Sequence, residues 1–114
     1  MTSQGHAYAQ FRRALKTGNA HLALAAVAEL RHVDLADALS LCLLIRDDDP
    51  LRYDRAAVRW VALLLDRDRA LHLGDLRELA ELLQRVGDHD QVAQLRLERW
   101  LRARGFGEEA DRVA

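Results

Sequence analysis

The stretch DLADALSLCLLIRDDDP, residues 34–50, decides the fold of this chain. Asp34 precedes an aliphatic run and predicts a helix N-cap, because its carboxylate can accept a hydrogen bond from a backbone N–H of the first turn. Asp37 follows at the third helical position, as the acidic member of a capping box. After Asp37 the run to Ile45 has Ser40 as its only polar residue, which is typical of a helix enclosed by others. We therefore predict an all-α fold with this helix 3 at its centre.

Stop and start residues on both sides of that segment divide the chain into about six short helices. Glycine ends several of the helices, and asparagine, aspartate or proline begins the next one. Capping boxes, together with a hydrophobic staple between Leu73 and Leu79, support the last two starts. The predicted helices are helix 1 over residues 6–17, helix 2 from Asn19 to about residue 31, helix 3 from Asp34, helix 4 from Pro50 after a cap at Asp49, helix 5 from Asp75 to Gly87, and helix 6 from Asp88 to Gly105.

Tight breaks between six helices predict three antiparallel hairpins. The pattern leaves two architectures open, a compact helical bundle and a short α-solenoid built from helical-hairpin repeats. The signature residues of tetratricopeptide and ankyrin repeats are absent from the sequence. Residues 1–105 are predicted to form a single helical domain, and residues 106–114 a short acidic tail that we expect to fray.

Charge and cysteine content narrow the class and the location of the protein. Seventeen basic against eighteen acidic residues give a formal net charge of -1, without the positive excess typical of nucleic-acid-binding domains. A lone cysteine cannot form an internal disulfide, which favours a reducing compartment. The first residues are polar, unlike a signal peptide, and the apolar stretches are too short to cross a bilayer. We therefore expect a cytoplasmic protein that does not bind membranes.

Residue types that catalyse reactions or bind metals are present but form no recognisable site. Cys42 lies in the most apolar stretch, where burial makes a thiol inert. Residues 47–49 (DDD) and 88–90 (DHD) lack the glycine and closing glutamate of a calcium loop and the paired histidines of a zinc site, and they suit helix boundaries. The glycines fall mostly at helix ends and form no phosphate-binding loop. We predict a protein that is not an enzyme and has no cofactor or metal.

An arginine-rich strip on helix 6 is the first candidate interaction surface. Arg96, Arg99, Arg102 and Arg104 surround Trp100, and Glu98 is the acidic residue among them. Such a strip can contact an acidic partner protein or nucleic-acid phosphates. The structural alternative is a helix end whose cations complement the helix dipole and form ion pairs within the chain. The acids available for those pairs are Glu78, Glu81 and Asp90.

Helix 4 carries the second candidate surface, because its large apolar residues span most of its circumference. A small domain has few neighbours to bury all of them. Either helix 4 is enclosed by its neighbours, like helix 3, or one of its edges docks against another protein. We predict the second, with Trp60, Leu63 and Leu64 on the docking edge and a second copy in a two-fold dimer as the simplest partner.

A basic edge on helix 4 consists of Arg52, Arg55 and Arg59. We expect these arginines to pair with neighbouring aspartates, and to merge with the helix 6 strip if the two helices are neighbours. The predicted function is a non-catalytic helical protein–protein interaction or adaptor module that can self-associate. The alternative is a nucleic-acid-binding domain that uses the arginines of helices 4 and 6. The predicted partner-binding residues are Trp60, Leu63, Leu64, Arg96, Arg99, Trp100 and Arg102.

Overall fold

Seven α-helices make up the described part of the computed structural model, which covers residues 3–113, and no strand occurs within those residues. They are α1 (Ser3–Thr17), α2 (Ala20–Val27), α3 (Leu35–Asp48), α4 (Pro50–Arg67), α5 (Leu73–Gly87), α6 (Gln91–Ala103) and α7 (Gly107–Arg112). The predicted all-α class is confirmed, with one helix more than the sequence indicated. None of these helices combines the length and the apolar character that a membrane span needs.

Helix α3 lies at the centre of the arrangement, as its aliphatic sequence predicts. It contacts α1, α2, α4 and α7. Every helix also packs on the next one in the chain, most extensively α1 on α2, α3 on α4 and α5 on α6. The radius of gyration is 13.9 Å, close to the roughly 13 Å expected for a compact chain of this length. The architecture is therefore a helical bundle.

Three predicted start signals act as expected. The side chain of Asn19 accepts a hydrogen bond from the N–H of Leu22 at 3.0 Å, and that of Asp34 accepts one from the N–H of Asp37 at 2.9 Å. Asp49 caps α4, whose first residue is a proline. Each of these oxygens satisfies a backbone N–H that has no partner inside its helix.

Helix α5 begins at Leu73, before the predicted start at Asp75. His72 is the N-cap residue, and Asp75 lies in the first turn, where its carboxylate accepts the His72 N–H at 2.9 Å. Asp75 is therefore the residue that reaches back to the cap. The predicted hydrophobic staple is wrong, because Leu73 is 85% exposed.

The cap of α6 is Asp90, so the predicted cap at Asp88 is wrong. The carboxylate of Asp90 accepts hydrogen bonds from the N–H groups of the second and third residues that follow it. Asp88 instead follows the end of α5, and His89 adopts a positive φ of 63°. The left-handed residue of this turn is thus His89, which leaves Gly87 inside the helix.

The predicted frayed tail is wrong for the described residues 106–113. They contain α7, whose Ala110 is completely buried in the core. Arg112 forms an ion pair with Asp34, in the cap of α3. Helix α7 packs on α6 and α3. The predicted boundary at residue 105 would therefore cut α7 off from the helices that it contacts.

Two clusters of buried side chains, the large core and the small core, hold the bundle together. The small core lies between α1 and α2 and consists of Phe11, Ala14, Ala23 and Ala26. The large core joins α3 to α7; its aromatic members are Trp60, Trp100 and Tyr53, and leucines supply most of its remaining side chains. Helix α3 serves both, because the half-buried Leu41 and Leu44 pack on the small core.

A close contact between Tyr53 and Gly87 sets the distance between α4 and α5. The Tyr53 hydroxyl donates a hydrogen bond to the carbonyl of Leu83 at 2.7 Å. A Cβ atom at Gly87 would lie 2.7 Å from the tyrosine ring, well inside van der Waals contact. Glycine is therefore required here by space, since the Cβ atom of any other residue would displace the tyrosine ring.

Candidate interaction site

Of the three partner-binding residues predicted on helix 4, two are buried in the large core and one lies partly exposed at its edge. Trp60 is 2% exposed and Leu64 is 0% exposed, and the indole Nε1 of Trp60 donates to the Leu35 carbonyl at 3.0 Å. Leu63 is half-buried against the same large core. The prediction that Trp60 and Leu64 form a docking edge is therefore wrong, because the helix turns that face toward its neighbours α3 and α5.

The predicted residues of helix 6 do line a groove on the surface. Arg96, Arg99 and Trp100 of α6 face α5 across a cavity of about 620 Å³. Both arginines are exposed, while Trp100 is 9% exposed and forms part of the floor. Arg102 lies outside this groove and forms an ion pair with Asp111 of α7. The structure thus brings three of the four predicted α6 residues together.

The facing wall of this α5–α6 groove is acidic at two positions. Glu78 and Glu81 line it from α5, together with Leu82 and Arg85. Among the described residues, neither glutamate forms a salt bridge with Arg96, Arg99 or any other cation.

The ion pairs expected within the chain are therefore missing from this groove. The third acid expected to pair there, Asp90, is occupied as the cap of α6. Charges of both signs face each other across the groove while both remain open to a partner.

Arg104 stacks on Trp100, which forms part of the floor of the α5–α6 groove. Its guanidinium carbon lies 4.6 Å from the centre of the Trp100 ring, within cation–π distance. The same guanidinium pairs with Asp75 at 2.6 Å and with Asp68 at 3.4 Å. The His72 N–H, followed by Arg104, lowers the pKa of Asp75. Arg104 therefore ties the start of α5 to the tryptophan.

The outer face of α6 adds exposed aliphatic surface beside the groove. Val92 is 59% exposed and Leu95 is 66% exposed. With Arg96 and Arg99 they occupy positions i, i+3, i+4 and i+7 of one helix, so all four share a face. An apolar half and a basic half thus follow one another along α6.

The arginines of helix 4 line a different groove. Arg52, Arg55 and Arg59 lie with residues of α2 and α3 around a cavity of about 410 Å³, the α2–α4 groove. Within the described part of the chain none of them forms a salt bridge, so the expected pairing with nearby aspartates is wrong. The α4 and α6 arginines share no groove and do not form one basic field.

A polar junction at the start of α3 was missed by the sequence analysis. Asp37 is 2% exposed, and its carboxylate accepts a hydrogen bond from Arg12 of α1 at 2.9 Å. Arg112 of α7 lies 3.7 Å from the same oxygen and pairs with Asp34. Burial alone would raise the pKa of Asp34, but the Asp37 N–H and the Arg112 guanidinium lower it. No local pattern signals this junction, because its residues come from three separate helices.

The cysteine and the aspartate–histidine pair that the sequence offers as reactive groups form contacts within the fold. Cys42 is 4% exposed, as predicted, and its Sγ donates to the Ala56 carbonyl at 3.4 Å. Burial raises the pKa of this thiol to about 12, which suppresses the nucleophilic thiolate. Asp47 pairs with Arg46 at 2.9 Å and lies 3.8 Å from His89. Residues 3–113 hold no cluster of three or more histidine, cysteine or carboxylate side chains arranged to bind a metal.

Comparison with known proteins gives no relative for this arrangement. No protein-family model, no curated protein and no solved structure matches the chain significantly.

Proposed function

We propose that this protein is a non-catalytic helical interaction module, and that the face formed by α5 and α6 binds a second copy of the chain. The observation that carries the proposal is the α5–α6 groove, with Glu78 and Glu81 on one wall and Arg96 and Arg99 on the other, free of ion pairs with each other.

Two-fold symmetry makes such a surface complementary to itself. In a two-fold dimer each patch meets its own copy, so Glu78 and Glu81 on the α5 wall of one protomer face the basic α6 wall of the other, twice. The exposed Val92 and Leu95 supply apolar surface beside these charges. Apolar contact gives such an interface its affinity, and the charge pairs fix its register.

Nucleic-acid binding is the alternative function. Two observations count against it: the net charge is -1, and the α6 arginines share their groove with two glutamates. A phosphate backbone would be repelled by that acidic wall.

Charge reversal tests the dimer. Sedimentation equilibrium of the full chain at micromolar concentration should give a dimer mass. Arg96→Glu with Arg99→Glu, or Glu78→Arg with Glu81→Arg, should each weaken dimerisation about tenfold or more, because like charges then face each other. An equimolar mixture of the two double variants should regain the dimer, since the opposite signs meet again in the mixed pair.

The matched control is Arg55→Glu with Arg59→Glu, which reverses two exposed charges in the other groove and should leave the mass unchanged. A monomeric mass for the unaltered chain would overturn the proposal. So would a mixture of the two charge-reversed proteins that remains monomeric.

A further inference from the structure

We propose that the α2–α4 groove binds an acidic amphipathic helix of a partner protein. One wall carries Arg52, Arg55 and Arg59 from α4, and no carboxylate lines the cavity of about 410 Å³. This site is separate from the proposed dimer face, because the two grooves have no lining residue in common.

The spacing of the three arginines fits a helical ligand. Positions 52, 55 and 59 fall on one face of α4 and extend about 10 Å along its axis, at 1.5 Å per residue. Carboxylates spaced three and four residues apart on a second helix recur over the same length. The arginines also repel one another at i, i+3 and i, i+4, and none of them has a salt bridge to an acid among residues 3–113. An acidic ligand removes that repulsion when it binds.

The rest of the groove is aliphatic, so the ligand needs an apolar stripe in addition to its acidic residues. The half-buried Leu24 and Ala56 and the buried Ile45 line it, and Leu51 stands 92% exposed at the same groove. An amphipathic helix uses such a surface, because its apolar stripe packs there while its acids reach the arginines.

The same lining argues against a nucleic acid as the ligand. Single-stranded nucleic acids gain much of their affinity from bases that stack on aromatic rings. The residues that line the α2–α4 groove include no aromatic side chain. The charge and the aliphatic lining together therefore favour a protein helix.

Fluorescence anisotropy of a labelled peptide tests the proposal with the full chain. The probe is a synthetic helix with glutamates at alternating spacings of three and four residues beside a leucine stripe. We expect saturable binding that weakens with salt and is lost when glutamine replaces the glutamates. Arg55→Glu should weaken it about tenfold or more. Arg67→Glu, the same charge change at an exposed site near the other end of α4, should leave it within about twofold.

Two further measurements complete the test. The first isolates the apolar contribution to peptide binding, and the second compares the affinity for the peptide with the affinity for a nucleic acid. Leu51→Ser should weaken peptide binding several-fold. A single-stranded oligonucleotide of equal net charge should bind more weakly than the peptide. The proposal is overturned if the oligonucleotide binds as tightly, if Arg55→Glu and Arg67→Glu act alike, or if the peptide does not bind. The dimer mass is measured separately and stands or falls without this result.

Discussion

The small core and the large core stabilise their helices in different ways. Between α1 and α2, Phe11 is the one bulky side chain and alanines fill the remaining buried positions. Between α3 and α7, two tryptophans, a tyrosine and many leucines interlock. Because hydrophobic stabilisation grows with the apolar area removed from water, each residue of the small core contributes less. In the α1–α2 pair, small alanine side chains that let the two helices pack closely take the place of large core side chains.

Polar contacts add stability to the α1–α2 pair, whose small core contributes less hydrophobic stabilisation. The side chain of Gln4 donates to the Glu29 carbonyl at 2.7 Å and accepts from the Arg31 N–H at 2.9 Å. Arg12 reaches Asp37 on α3. Helix α2 has only 8 residues, too few to be stable alone. The α1–α2 pair is therefore expected to open at a lower free energy than the rest of the bundle.

The largest effect should come from Leu64→Asp. This residue is 0% exposed in the large core, so the substitution buries an unpaired charge and should cost more than about 4 kcal/mol. We expect loss of the helical circular dichroism signal for the whole chain and rapid modification of Cys42 by a thiol reagent. Retained structure with a slowly reacting Cys42 would show that the large core does not control global stability.

A smaller and more local effect is expected for Leu44→Asp. Leu44 is half-buried and faces the small core, so the charge should loosen the α1–α2 pair by about 2 kcal/mol while α5 and α6 remain folded. Hydrogen exchange should accelerate in α1 and α2 only, and Cys42 should stay slow to react. Leu51→Asp is the control, because Leu51 is 92% exposed. Equal acceleration in all helices would mean that the two cores unfold as one unit.

Helix caps offer the next test of the comparison. Asp90→Ala should lower the free energy of global unfolding by about 1 kcal/mol, because two N–H groups of α6 lose their acceptor. Asn19→Ala should instead raise exchange mainly within α1 and α2. Asp88→Ala, which removes no cap, should change stability by less than about 0.5 kcal/mol in a denaturant titration. A larger loss for Asp88 than for Asp90 would contradict the observed start of α6.

The smallest effect concerns acid sensitivity at the junction of the two regions. The folded state lowers the pKa of Asp34, so its contribution to stability is complete above the unfolded value near 3.9 and is lost as the pH falls through the folded value. Arg112→Gln removes one cause of that shift and should flatten the acid side of a stability-against-pH curve. The curve above about pH 5 should keep its shape. An unchanged acid limb would show that Arg112 does not stabilise the Asp34 carboxylate.

Local signals account for the parts of the fold that the sequence predicted correctly. Asn19, Asp34 and Asp49 each stand directly before their helix, and a cap needs only its own first turn. The two start errors had a local cause as well. Two aspartates, Asp88 and Asp90, compete for the cap of α6, and only the geometry of the turn selects Asp90. At α5 the cap is a histidine, a residue outside the usual N-cap set.

Which face of α4 is buried depends on the helices packed around it, so the sequence alone could not predict it. Its apolar residues nearly encircle the helix, so periodicity alone leaves the buried side open. The structure buries Trp60 and Leu64 while Val58 remains 64% exposed. Arg96, Arg99 and Trp100 were found from local sequence because they lie within one helix. Glu78 and Glu81, which complete the groove, come from α5 and join them only through packing.

The ion pair between Asp34 and Arg112 also bears on the order in which the molecule can form. These residues lie 78 positions apart, whereas Arg12 and Asp37 are separated by 25. Closure of the longer loop carries the larger entropic penalty. In addition, α7 leaves the ribosome after every other described helix. We therefore expect a nascent chain to assemble α1 to α6 around Asp37, with Arg12 as its ion-pair partner, before α7 packs on α3.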